Sequence, residues 1–386
     1  VSQEESLTMP QFKRSNTVEL ELTSKCALSC SECPRVKQKN DRASWDNGNI
    51  DTNTVIQAID DKIKKIIVCG SYGDAMYHPE VDKVLKSINE KLIPYSMDTN
   101  GSYIKDELWE RVADHISTRD EWVFSIDGPP HNFATYRVNG HWPSIESGIR
   151  ILTGKGCQIR WKYIVFKYNS SYEDIKAAYD KAWELGVRWF QLVHTKRASP
   201  GQYVAMEEFS DALNQIEDYV GGIKKEDYPA GTNFPPKLRI NIHPRIRKVT
   251  EQAGVEKVLN VVKKSVTSDG MSQTIKTSKG GTSPAYKMTG SKQTEYYSTK
   301  KVYPQCVNVD NWAQFIGSDG IYYPCCYARS EKSSLVKGAG LTEEDLESMS
   351  VYNHTIDEIV VGSGYQKLMA NFDNISVCTD KCPAKI

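Results

Sequence analysis

Val18-Glu19-Leu20-Glu21-Leu22-Thr23-Ser24-Lys25-Cys26-Ala27-Leu28-Ser29-Cys30-Ser31-Glu32-Cys33-Pro34 is the stretch on which the reading of this chain turns. Its first residues alternate apolar and acidic, the period of a half-buried strand. Three cysteines follow at once, separated by three and then by two residues. Thiolates this close can hold three corners of a cubic iron–sulfur cluster, leaving the fourth iron open to another ligand. The alternatives are free thiols or a zinc site lacking its fourth ligand, although zinc motifs usually pair Cys-x2-Cys with a second pair elsewhere.

Outward from this stretch, short apolar runs alternate with amphipathic segments. Strands are expected near 17–22, 65–69, 94–98, 121–126, 157–167 and 187–193, and helices near 51–63, 79–92, 105–116, 143–154, 171–185 and 205–219. Asp51-Thr52-Asn53, Pro79 and Ser170-Ser171 mark helix starts. Strands alternating with helices of this length pair in parallel through right-handed crossovers. The expected fold class is α/β: an N-terminal extension (1–16), a partial (β/α)6 TIM-type barrel (17–220), a basic insertion or linker (221–301) and a small C-terminal domain (302–386).

The chain has 386 residues, 39% hydrophobic and 25% charged, with 49 basic and 49 acidic side chains. That is the size of two domains, or of one barrel with an appendage, and enough to bury a core without disulfides. No apolar run approaches the roughly 18 residues needed to cross a bilayer. The first residues, Val1 to Ser6, carry no signal-peptide core. A cytoplasmic protein is expected, in which the ten cysteines serve as metal ligands or catalytic thiols. Neutrality gives no general pull toward nucleic acid or anionic membrane. It conceals a polarity, however: residues 237–301 hold fourteen Lys/Arg against four Asp/Glu, a net +10 that leaves the remainder at −10. Half of residues 265–300 are Ser, Thr or Gly, 18 of 36, as in a solvated insertion; a basic lid over an anionic substrate is the sharper reading. Lys237–His243 alternates like a strand.

The Val18–Pro34 stretch resembles the first strand and cluster loop of the radical S-adenosylmethionine (radical SAM) superfamily. The resemblance covers roughly residues 17–195 and implies a [4Fe-4S] cluster with an open iron on Cys26, Cys30 and Cys33. Glu32 stands where the family carries an aromatic residue against the adenine of S-adenosylmethionine (SAM). Tyr72-Gly73-Asp74 is similar to the family's Gly-Gly-Glu motif, which holds the methionine amino group, with Tyr72 in place of the first glycine. By residue type alone the same segment reads as a tight turn capped by Asp74. Asn100 and Ser125, in segments that look like family strand ends, would by that resemblance be further cofactor contacts, and His194 a cofactor or substrate contact, although a lone histidine there more often reads as structural. Such polar, glycine-rich segments recur at the C-terminal ends of successive strands, which is the catalytic face of parallel α/β barrels.

Near the C-terminus, Cys306, thirteen residues, Gly320, four residues and Cys325 are followed by Cys378 and Cys382, three residues apart. This resembles the auxiliary-cluster domains called SPASM and, in short form, Twitch. Cys306, Cys325, Cys378 and Cys382 would then hold one auxiliary [4Fe-4S] cluster; a structural zinc on the same thiolates is the alternative. Cys69 and Cys157 read as core thiols, and Cys326 as a candidate hydrogen-atom donor.

The resemblance implies reductive cleavage of SAM, with an electron from flavodoxin or ferredoxin, and hydrogen abstraction from a substrate by the 5′-deoxyadenosyl radical. An auxiliary cluster would provide an electron outlet, favouring a two-electron oxidation (dehydrogenation) of a small molecule. Cross-linking, epimerisation or oxidation of a peptide is the second expectation. Asp127, His194, Asp310 and Tyr163 are candidate bases. An iron–sulfur or zinc protein without enzymatic activity is the contrasting alternative.

Overall fold

The alternation of apolar and polar residues is realised strand by strand. The structure, a computed structural model, describes residues 14–40, 45, 48–194, 204–228, 234–242 and 313–381. β1 (Thr17–Leu20), β2 (Lys65–Val68), β3 (Tyr95–Thr99), β4 (Glu121–Ser125), β5 (Gln158–Val165) and β6 (Trp189–His194) pair in parallel in chain order. All six overlap the expected strands. Between and after them run α1 (Pro34–Lys37), α2 (Thr52–Ala58), α3 (Val81–Glu90), α4 (Asp106–Ala113), α5 (Trp142–Gly154), α6 (Tyr172–Glu184) and α7 (Met206–Gly222). Asp51 caps α2 by accepting from Thr54 N–H, and Ser171 caps α6 by accepting from Asp174 N–H.

β7 (Lys237–Ile242) adds a parallel strand beside β6, so the alternating segment inside 221–301 belongs to the barrel sheet. At the other edge, β8 (Gln314–Ile316) runs parallel to β1, and β9 (Tyr322–Tyr323) returns antiparallel to β8. The result is one mixed α/β sheet of nine strands, mostly parallel. Gly320 closes the last hairpin at φ 73°, where a Cβ would meet the Tyr352 ring at 2.2 Å. After it come α8 (Cys326–Ser330), α9 (Lys332–Ala339), α10 (Glu343–Glu347), α11 (Ile356–Val361), α12 (Ser363–Ala370) and α13 (Ser376–Lys381). α11 and α12 are separate helices because Gly362 between them is extended (φ −70°, ψ 156°).

The two faces of the sheet differ in kind. Val18, Met97, Phe124, Trp161 and Phe190 point toward the helices and are fully buried in the main core. Their alternates, Glu19, Asp98, Ser125, Lys162 and Gln191, line the inner face. A complete TIM barrel fills that space with branched apolar side chains; this one lines it with charge.

The C-terminal region is joined to β1 by a buried ionic junction. Arg329 Nε donates to Glu21 Oε2 at 2.9 Å with both side chains at 0% exposure, and its Nη1 lies 3.3 Å from Asp319. Ser318 Oγ also donates to Glu21. Among the described residues, no helix is long and apolar enough to cross a membrane.

Candidate active site

Just beyond β1 the chain turns into the cysteine loop. Cys33 N–H donates to Cys30 C=O at 3.1 Å. Cys33 is also the N-cap of α1, with Pro34 opening the helix. The turn after β2 is laid on this loop: Asp74 N–H donates to Lys25 C=O at 2.9 Å, and a Cβ on Gly73 would stand 1.8 Å from Thr23 O. Only glycine permits that approach.

Cys26, Cys30 and Cys33 line one cavity of about 310 Å³ at the ends of the strands. Leu28, Cys30, Tyr136 and Phe166 form a small apolar core of their own, with Cys26, Cys33 and Ile164 packed on it. Burial, with the negative charge of Asp74 adding to it, pushes the Cys26 thiol up to about 12. Burial raises Cys30 too, against the opposing pull of Arg137. Such thiols stay protonated until a cation claims them, and a bound metal deprotonates its thiol ligands. Two donors face the sulfurs: Asn100 Nδ2 at 3.5 Å from Cys26 Sγ, and Arg137 Nη1 at 3.9 Å from Cys30 Sγ. Among the described residues, no three His, Cys, Asp or Glu side chains are gathered as around a single ion. A shared cavity wall, an apolar surround and donors to sulfur together fit a cluster, whose potential such features tune.

The other expected cofactor residues occupy different places. Glu32, Tyr72, Gly73, Asp74, Asn100 and Ser125 all contribute to the cavity wall. Glu32 is ion-paired with Lys37. Asp74 is buried, and its oxygens accept from Met76 N–H (3.0 Å), Thr99 Oγ1 (3.0 Å), Asn100 N–H (2.6 Å) and Asn100 Nδ2. These donors take up most of a carboxylate's lone pairs. The Tyr72 ring is clamped between Trp45, at 5.1 Å, and Arg329, at 4.9 Å. Its hydroxyl donates to Ser330 C=O at 2.9 Å. Tyr72 thus spans from the cavity to the C-terminal junction.

His194 and Tyr163 fall on the helix side of their strands. His194 shares that face with Phe190 and Leu192, is buried, hydrogen-bonds Val204 C=O through Nε2 at 2.8 Å and stacks on Phe209. Tyr163 donates to Asn169 C=O at 2.6 Å. Neither contributes to the cavity wall. Asp127 is fully buried behind the wall, where it accepts from Arg137 Nε at 2.6 Å and from Ile164 N–H at 2.7 Å. Cys326 opens α8 and is hydrogen-bonded to Glu19. Asp310, Cys306 and Cys382 lie outside the described residues. Cys325 caps α8 and Cys378 lies in α13, and these two helices pack together.

The expectations omitted Arg137, Tyr136, Phe166, Asp98 and Lys162, all of which line the cavity. Asp98 and Lys162 were signalled by polar positions alternating with apolar ones along β3 and β5. Arg137 and Tyr136 lie after a short 3-10 turn and carry no periodic signal.

Among solved structures, the chain is similar to Streptococcus suis SuiB bound to S-adenosylmethionine, with a TM-score of 0.57 and 13% identity over 92% of this chain and 68% of that one. SuiB bound to precursor peptide SuiA matches equally, with a TM-score of 0.57 and 13% identity over 92% and 67%. Native anSMEcpe with bound AdoMet and Cp18Cys peptide gives 0.50 and 12% over 91% and 81%. No family model and no curated protein matches the sequence. At such identities the likeness is one of fold alone: a mixed α/β partial barrel with a mostly parallel sheet.

Proposed function

We propose that this chain is a radical SAM enzyme. The observation that carries the reading is the three-cysteine loop, set in its own apolar core and facing a polar cavity at the C-terminal ends of parallel strands. When bound, a [4Fe-4S] cluster and SAM would supply one-electron cleavage of SAM and a 5′-deoxyadenosyl radical that abstracts hydrogen from the substrate. Cys26, Cys30 and Cys33 would hold the cluster. Leu28, Tyr136 and Phe166 would shield it from water, and Asn100 and Arg137 donate toward the sulfurs of Cys26 and Cys30. Gly73 lets the β2 turn close on the loop, and Asp74 orients Asn100. Cys306, Cys325, Cys378 and Cys382 are proposed as an auxiliary cluster site, making a two-electron oxidation the favoured outcome with flavodoxin or ferredoxin as reductant. A peptide substrate has a specific observation in its favour over a small molecule, because SuiB and anSMEcpe of this fold are seen with peptides.

The test is anaerobic reconstitution, reduction with dithionite and assay for 5′-deoxyadenosine from SAM. Formation of 5′-deoxyadenosine is expected. Complete inactivity with about eight irons bound would overturn the reading. Replacing all three loop cysteines by alanine should leave about four irons and no product.

A further inference from the structure

The cavity wall is chemically divided. Leu28, Tyr136, Ile164 and Phe166 surround the cysteines, whereas Asp98, Ser125 and Lys162 supply a polar floor from the inner faces of three adjacent strands. Asp98, on β3, precedes Asn100, the residue that reaches Cys26, by two positions, roughly 6–7 Å deeper at about 3.3 Å per residue. Thr99 pairs with Phe124 and Ser125 with Lys162, so Ser125 and Lys162 stand level with Asn100, beside the cysteine contacts. A substrate lying across these strands would meet Asp98 and Lys162 together.

The floor's ion pair is unlike its neighbours. Lys162 Nζ and Asp98 Oδ2 stand 3.7 Å apart, beyond hydrogen-bond reach, with each side chain 33% exposed. Around it, charged pairs are closed: Arg160 donates to both oxygens of Glu121 at 2.6 and 2.7 Å, and Arg137 meets Asp127 at 2.6 Å. An open, half-exposed pair costs little to separate. A ligand bringing one charge of each sign would exchange it for two charge-assisted hydrogen bonds. A ligand bringing a single charge leaves the other partner unmatched.

We infer that Asp98 and Lys162 form the specificity site for a substrate group bearing an ammonium and a carboxylate side by side, the ammonium on Asp98 and the carboxylate on Lys162. A free amino acid presents this chemistry, and so do adjacent Lys and Glu side chains of a peptide. The inference rests on the radical SAM reading for what the bound group then undergoes, but its binding does not depend on that chemistry.

Reconstituted full-length protein, with SAM and without reductant, is titrated calorimetrically with the free amino acids and, separately, with capped peptides containing Lys-Glu. Saturable binding is expected in one arm, which identifies the source. Amide and N-acetyl derivatives of the amino acid, or Lys-Gln and Met-Glu peptides, should bind at least about tenfold more weakly. Asp98→Asn and Lys162→Met should each cost at least about tenfold in affinity. No binding in either arm, equal binding of singly charged analogues, or competition of the ligand with SAM would overturn the inference. The analogue series uses the unaltered protein, so a variant that misfolds does not shield the idea. Because no reductant is present, failure here is distinct from failure to form 5′-deoxyadenosine.

Discussion

Two charged regions face each other across β1, and they are built to opposite rules. At the C-terminal junction, Glu21, Arg329 and Asp319 are sealed from water and saturated with partners. In the cavity floor, Asp98 and Lys162 are half-open and do not touch. Asp98 and Lys162 come from the polar alternation of β3 and β5 and Glu21 continues that of β1, whereas Arg329 is supplied by α8 and Asp319 by the turn between β8 and β9. What separates them is closure: a sealed network has spent its hydrogen-bonding capacity on the fold, and an open one retains it for a ligand. Tyr72, which lines the cavity and whose N–H donates to Glu21 Oε1 at 2.8 Å, connects the two.

The difference should be largest in stability. Arg329→Met leaves Glu21 buried without its cation and Asp319 with Lys332 alone, and removing one partner of a buried pair costs about 3–5 kcal/mol. Lys162→Met, in the open pair, should cost under about 1 kcal/mol. Denaturant unfolding of the two variants under anaerobic conditions measures both. Similar losses would break the comparison, because the floor would then be structural as well.

Glu19, on the cavity side of β1 next to Cys326, sharpens it further. Burial, opposed by the Cys326 hydrogen bond and reinforced by Asp98, pushes its carboxyl from an ordinary 4.5 up to about 7. Below the lower value, folded and unfolded chains both hold the proton. Between the two, the unfolded chain releases it and the folded chain retains it. Stability should therefore fall as pH rises through that window, by about 3 kcal/mol in all. Glu19→Gln should remove this slope and exceed the unaltered protein in stability above neutrality. Parallel stability–pH curves for the two proteins would show that Glu19 ionises as easily in the folded state as in the unfolded.

Much of this architecture could be read before folding. β1 to β6 were legible because period-2 alternation is local, and Gly73 and Gly320 because a turn or a close backbone approach demands glycine. Face assignments were legible but unused: counting alternate residues along Trp189–His194 puts His194 with Phe190 and Leu192, away from the cavity. Other features were not legible. The Asp98–Lys162 pair depends on the register of β3 through β4 to β5, a non-local quantity. The junction depends on β8 docking beside β1, nearly 300 residues away in sequence. Arg137 reaches Cys30 from an irregular loop, where no period applies.

The smallest expected effect falls on the link between the regions. Tyr72 stands where the resemblance expects glycine, and the junction gives the reason for its bulk. Its ring fills the space between Trp45 and Arg329, and its hydroxyl meets Gln38 Oε1 at 3.0 Å and Ser330 C=O at 2.9 Å. Tyr72→Phe keeps the ring and removes only the hydroxyl, leaving the half-buried Ser330 carbonyl with Gln38 Nε2 as its remaining donor. A loss of about 1 kcal/mol is expected, which in a chain of this size lowers the melting temperature by roughly 2 °C. Tyr72→Gly, which installs the residue the resemblance expects, should cost more, because it also empties the clamp and leaves a cavity beside Arg329. If glycine were tolerated as well as phenylalanine, the ring would carry no packing role and the two charged regions would be mechanically independent. The expected ranking, Tyr above Phe above Gly, instead makes the turn that shapes the cavity answerable to the helix that begins at Cys326.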